Sequence, residues 1–169
     1  MNLATLQHIP AWVFVLFFVL IAFGVAQSFP RSVSLRRSTV LPLLLLGLSL
    51  MGVSSSFGAQ ALAFLAWAAG VAGAVALLHQ RVDVSAVRFS AATQRFQMPG
   101  SWWPLALMMA LFSLKFGVGM TLALHPEARA SAALGLTVSA AYGLFSGLFL
   151  GRAMALWSLA RRSLQMRSA

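Results

Sequence analysis

Residues 102–124 read WWPLALMMALFSLKFGVGMTLAL, and this stretch decides the fold, because it is apolar throughout and carries a single charge, Lys115. Crossing ~30 Å of hydrocarbon takes about 20 helical residues at ~1.5 Å each, so the stretch is long enough to span a bilayer. Working outward, four more runs of similar length hold no charge at all: 8–29, 40–57, 60–79 and 130–151. With 60% hydrophobic and 8% charged residues, the chain cannot form a soluble globular domain of ordinary composition. The expected fold is an all-α integral membrane bundle of five transmembrane helices, one domain over 1–169. A signal peptide is the rival reading of 8–29. Nothing positive precedes that run, it exceeds an h-region, and no clean cleavage site follows, so it reads as a retained helix.

The net charge is +10, from eleven Arg and one Lys against Asp83 and Glu127. A basic protein suggests a nucleic-acid ligand until the positions are inspected. Arg31, Arg36 and Arg37 follow the first run, Arg81, Arg88 and Arg95 follow the third, and Arg152, Arg161, Arg162 and Arg167 follow the fifth. All three segments fall on one side of a five-span topology, while the other side has a tight turn at Gly58 and Ala59 and a short loop with Arg129 alone. The positive-inside rule then gives N-terminus out and C-terminus in, and no nucleic-acid partner. Trp12, Trp102, Trp103 and Trp157 stand near run ends as interfacial anchors, whereas Trp67 lies mid-run and needs an internal partner for its indole N–H. Pro42 and Pro104 are placed in the first turns of their helices. In the long inner loop 80–101, the alternation at Val82, Val84 and Ala86 and the Phe in Val87-Arg88-Phe89 and Arg95-Phe96-Gln97-Met98 allow a β-hairpin turning at 91–94. A plain interfacial loop with Phe89 and Phe96 in the headgroups is the alternative. The tail 152–169 sets Met154, Leu156, Trp157, Ala160 and Leu164 opposite Ser158, Arg161, Arg162 and Gln165, as an extension of the fifth helix or an amphipathic surface helix on the cytoplasmic side. The Pro42 and Pro104 helix starts are weakly alike, which reflects either a duplicated two-helix unit or the common needs of such helices.

Lys115 lies ~15 Å or more from either end of its run, too deep to snorkel. No carboxylate occurs in any apolar run. The lysine must be neutral, solvated by carbonyls, hydroxyls and water, or paired with an anionic ligand or lipid group. It then marks an anion or proton-relay site, or serves as a polar tether for packing. Tyr142, Ser146, Ser139 and Thr137 of the fifth run, and Ser49 and 54–56 of the second, are its candidate neighbours. Gly117 and Gly119 can ease its burial by admitting water or a neighbouring backbone. Gly135, Ser139, Gly143, Gly147 and Gly151 recur every fourth residue, forming a helical groove for another backbone, either the Ala66, Gly70, Ala74 stripe or a second copy of the chain. His8, His79 and His125 do not have metal-site spacing. With no cysteine and no catalytic or phosphate-loop motif, no metal, cofactor or enzymatic activity is expected.

Arg36-Arg37 before Leu41-Pro42, Arg95-Phe96-Gln97-Met98-Pro99-Gly100-Ser101-Trp102 with Lys115-Phe116 beyond, and Tyr142-Gly143 through Gly147 to Gly151-Arg152 together give a resemblance. The chain resembles small proteobacterial multi-pass inner-membrane proteins grouped as a domain of unknown function. More faintly, the arginine pair before a Leu-Pro helix start looks like CcdC-type membrane proteins associated with cytochrome c maturation. The likeness implies a multi-pass protein of the bacterial inner (cytoplasmic) membrane and no particular activity; thiol transfer would have no chemistry in a chain without cysteine. The first functional expectation is a small accessory or interaction protein with a polar pocket at Lys115, its partners being the lipid bilayer and a second copy or another membrane protein. The second is a small, dimeric transporter or channel for an anionic or small polar solute. The third is a membrane enzyme acting on a lipid or quinone.

Overall fold

The computed structural model describes residues 11–58, 60–79 and 84–168. The expectations for His8, Ala59, Arg81 and Val82 lie outside the described residues, as do those for the side chains of Trp12 and Arg167. In chain order the described elements are α1 (Ala11–Ala26), β1 (Arg31–Ser34), α2 (Leu35–Phe57), α3 (Ala61–His79), β2 (Arg88–Ser90), β3 (Arg95–Met98), α4 (Trp103–Leu124), a 3-10 turn (Pro126–Ala130) and α5 (Ala132–Ser168). Four helices, α2 to α5, are long and apolar enough to cross a membrane. The fifth, α1, is shorter, with 16 residues. It stops at Ala26, before the end of its apolar run, because Ser28 Oγ donates to the Val25 carbonyl at 2.6 Å and Pro30 follows. Phe18, Phe23, Met51, Leu65 and Leu77 are each more than half exposed, an exterior compatible with a membrane-embedded protein.

Another helix end differs from the sequence expectation. Helix α2 begins at Leu35, so Pro42 lies inside it and does not mark its start. Ser34 is the reason: its side chain accepts from the Arg37 N–H at 3.3 Å, capping a helix that begins directly out of β1. Pro104 does sit in the first turn of α4. Helix α5 continues without a break through Arg152 to Ser168, 37 residues in all. At ~1.5 Å per residue that is about 55 Å, well beyond the ~30 Å of a bilayer core.

The surplus length of α5 meets a small antiparallel sheet of order β1-β3-β2. Strands β2 and β3 form a hairpin through 91–94, with Gln94 at φ 48° in its turn and Phe89 opposite Phe96. Strand β1 adds on the far edge of β3, Arg31 opposite Met98 and Ser34 opposite Arg95. Phe96 is fully buried among Val87, Met98, Leu156 and Ala160, so this ring fills a core between the sheet and α5. The second core lies towards the opposite end, where Val53, Phe57, Ala63, Val118, Leu122, Val138 and Tyr142 pack together.

The helices form two groups. In the first, α3 lies along α5 with backbones almost touching: a Cβ at Gly143 would run into the Trp67 carbonyl, and one at Gly70 into the Ala140 carbonyl. Helix α2 also packs on α5. In the second group α1 pairs with α4, Phe17 and Phe112 having ring centroids 5.4 Å apart and Gly24 lying against Leu105. Gly100 joins the two helices at the sheet end, tight against the Ser28 carbonyl, and the Ser101 N–H donates to the Gln27 carbonyl at 3.1 Å. Helix α4 touches α5 only sparsely, and a wide cleft separates the two groups.

Candidate functional site

The cleft is a half-open groove of about 1400 Å³. Leu20 and Phe23 of α1, Leu41 and Leu45 of α2, Leu107 and Leu111 of α4, and Leu148 and Phe149 of α5 supply its apolar walls. Its size follows from the sparse α4–α5 contact: α5 turns Gly143, Gly147 and Gly151 to α3, α4 sets Leu105 and Phe112 against α1, and the two meet mainly in the core of Val118, Leu122, Val138 and Tyr142.

Lys115 enters the groove from α4 and is exposed to it. Its ammonium lies 4.5 Å from the centroid of the Tyr142 ring, a cation–π arrangement. Gly52 of α2 leaves the space for it, since a Cβ there would stand 2.9 Å from Lys115 Nζ. Beside the lysine is a second cavity of about 110 Å³, lined mostly by Leu45, Leu48, Leu111, Phe145 and Phe149, with Ser49 and Ser146 at its edge. Those two hydroxyls are already engaged. Ser49 Oγ donates to the Tyr142 carbonyl at 3.1 Å, and Ser146 Oγ donates to the same carbonyl at 3.0 Å. Ser49 Oγ in turn accepts from Trp67 Nε1 at 3.1 Å, which is the internal partner that the mid-run indole needed. Thus α3, α2 and α5 are tied together by one polar chain directly behind Lys115, and Tyr142 presents its ring face to the cation.

The other residues singled out in the sequence lie elsewhere. Ser139 is fully buried on α5, its Oγ without a hydrogen-bond partner among the described residues. Thr137 donates to the Ala133 carbonyl on its own helix, and Ser55 does the same to Gly52. Gly135 faces the Phe57 ring, Gly143 and Gly147 face α3 at Trp67 and at Val71 and Ala74, and Gly151 faces Leu78. Gly117 and Gly119 have no neighbour that a side chain would meet. His125 pairs with Glu127 at 3.2 Å on the exposed surface. Among the described residues no group of three His, Cys, Asp or Glu could hold a metal.

A second set of polar residues escaped the sequence reading. Arg31 of β1, Arg37 of α2 and Arg152 of α5 line the sheet end of the same groove, with Gln27 and Trp103 beside them. Arg31 Nη2 donates to Gln27 Oε1 at 2.7 Å, whereas its Nη1 is buried with no partner among the described residues. Burial first, and then the nearby Arg152 and Arg37, push the Arg31 guanidinium below its ordinary range. In sequence these arginines serve only to orient the chain; nothing in their spacing brings 31 and 152 together. The strand pairing of β1 and the unbroken course of α5 do so.

No curated protein and no solved structure matches the chain. A family does match, over residues 1–166, nearly the full length and including every element of the groove. The chain thus belongs to the Family of unknown function (DUF6622).

Proposed function

We propose that the protein is a small accessory protein of the bacterial cytoplasmic membrane that holds a long-chain apolar molecule in the groove between α1–α4 and α2–α5, with Lys115 as the polar contact in its depth. The observation that carries this reading is the groove itself. Its volume of about 1400 Å³ exceeds the ~300–1,000 Å³ of compact small-ligand pockets, its walls are mostly leucine and phenylalanine, and it is half open. Apolar walls that face a bilayer gain nothing by closing on each other, because lipid chains are as apolar as leucine, so such a groove stays filled with chain. N-terminus out and C-terminus in is the orientation we assign, from ten of the twelve basic residues falling in the three segments that follow the first, third and fifth apolar runs.

One observation favours a second reading, a carrier for an anionic or small polar solute: Lys115 is exposed to the groove instead of being sealed. A Lys115→Cys variant separates the readings, since the natural chain has no cysteine. A chain-filled groove predicts reaction with a lipid-soluble maleimide and protection from membrane-impermeant thiol reagents on both sides. Labelling by an impermeant reagent would replace this reading with the carrier. Protection from both kinds of reagent, in an inserted variant, would mean a sealed structural lysine and no ligand groove.

A further inference from the structure

We infer that the sheet end of the groove is a headgroup site for an anionic phospholipid, its phosphate held by Arg31, Arg37 and Arg152 and its acyl chains lying along the groove. The inference rests on the groove reading above and names the class of molecule that fills it. Three guanidinium groups from β1, α2 and α5 converge on one mouth. Like charges do not gather without a counter-charge, and the one carboxylate among the described residues, Glu127, lies at the far end paired with His125. Arg31 is already held by Gln27 through Nη2, which leaves the buried Nη1 as a donor in need of an oxygen. A phosphate diester on a headgroup that carries no cation of its own supplies what is missing: a planar guanidinium binds two of its oxygens at once, several guanidiniums can share it, and no choline opposes the three arginines.

The source of the phosphate follows from what adjoins the mouth. Trp103 lines it, and Trp157, one helical turn and a half beyond Arg152, donates to Thr39 Oγ1 at 3.0 Å. Indoles of this kind sit at headgroup level, where the phosphates of a leaflet lie. From Arg152 to Tyr142 along α5 is about 15 Å, half the thickness of the hydrocarbon. An acyl chain attached to the bound phosphate would therefore run down the apolar wall to the level of Lys115. A free phosphate ion would use the arginines and leave that wall without a role.

The test uses the intact protein in nanodiscs and in detergent, with phosphatidylglycerol and phosphatidylcholine as probes and retained lipid counted by native mass spectrometry. The natural protein is expected to retain phosphatidylglycerol about tenfold over phosphatidylcholine, the discrimination of one or two arginine contacts. Arg31→Gln with Arg152→Gln should bring the ratio near one while total retained lipid stays the same. Arg37 is exposed and uncommitted to the fold, so Arg37→Gln alone should fold normally and lower the ratio part of the way, even if the double variant fails to accumulate. Arg161→Gln with Arg162→Gln, outside the mouth, should leave the ratio intact; an equal loss there would reduce the preference to general surface charge and overturn the site. Displacement of phosphatidylglycerol by millimolar inorganic phosphate would make the free ion the ligand and overturn the lipid. Equal retention of both lipids by the natural protein would sink the headgroup site but leave the groove reading standing. Retention of neither lipid would end the groove reading itself.

Discussion

The α3–α5 seam and the groove one helix face away treat apolar residues in opposite ways. In the seam, Gly70, Gly143 and Gly147 bring two backbones so close that no side chain intervenes. In the groove, leucines and phenylalanines of α2, α4 and α5 stand around open space. In water the larger apolar side chains would collapse first. In hydrocarbon they would have no such drive, and close backbone packing would be the main source of helix association. On the reading proposed above, the seam is the structural joint and the groove is the part open to a ligand.

The sharpest way to break this comparison is to add atoms to the seam. Gly143→Leu places a side chain against the Trp67 carbonyl, which is main chain and cannot swing aside, so we expect a loss of about 3 kcal/mol or more, measured as unfolding in mixed micelles by denaturing detergent. Phe96→Ala, which empties the sheet–α5 core where the ring is fully buried, should cost about 3 kcal/mol by the same measurement. Ser49→Ala removes the link between Trp67 and the Tyr142 carbonyl and should cost roughly 1 kcal/mol, with the Trp67 emission shifted by loss of its hydrogen bond. On the groove side the effects should be small. Leu41→Ala removes a half-exposed wall residue and should change stability by less than ~0.5 kcal/mol, because lipid refills the space. Lys115→Met should leave accumulation and stability equal or slightly raised, because an intramembrane charge has been removed. A loss above ~2 kcal/mol for Leu41→Ala would mean that the groove is a packed core and the comparison false.

Much of the architecture could be read from residue order alone, and the exceptions have local causes. Run lengths pointed to long apolar helices, of which four are long enough to span and a fifth is shorter, and the hairpin, one of two readings open for 80–101, forms with Phe89 opposite Phe96. Strand β1 was missed because Arg31-Ser32-Val33-Ser34 is too short and polar to show alternation; its partner lies more than sixty residues on, and pairing supplies its structure. The same pairing delivers Ser34 as a cap, which outranks Pro42 as a helix start. For 152–169 the sequence left an extension of the fifth helix and a separate surface helix both open; Leu156 and Ala160 keep the helical spacing and bury against the sheet, and the helix runs on. At the site, Lys115 was visible as the one charge in an apolar run and Tyr142 as a polar residue in another. Gly52 was not, since a glycine under a lysine leaves no mark in sequence. The arginine mouth was hidden for a further reason, as the positive-inside pattern and an anion site would draw on the same residue type.

Helix α5 has one more consequence. A single rigid rod holds Tyr142 in one core and Leu156 and Ala160 in the other, about 21 to 27 Å along its axis. The two cores are therefore built on one continuous strut: the residue that faces Lys115 and the residues that seat the sheet belong to the same unbroken helix.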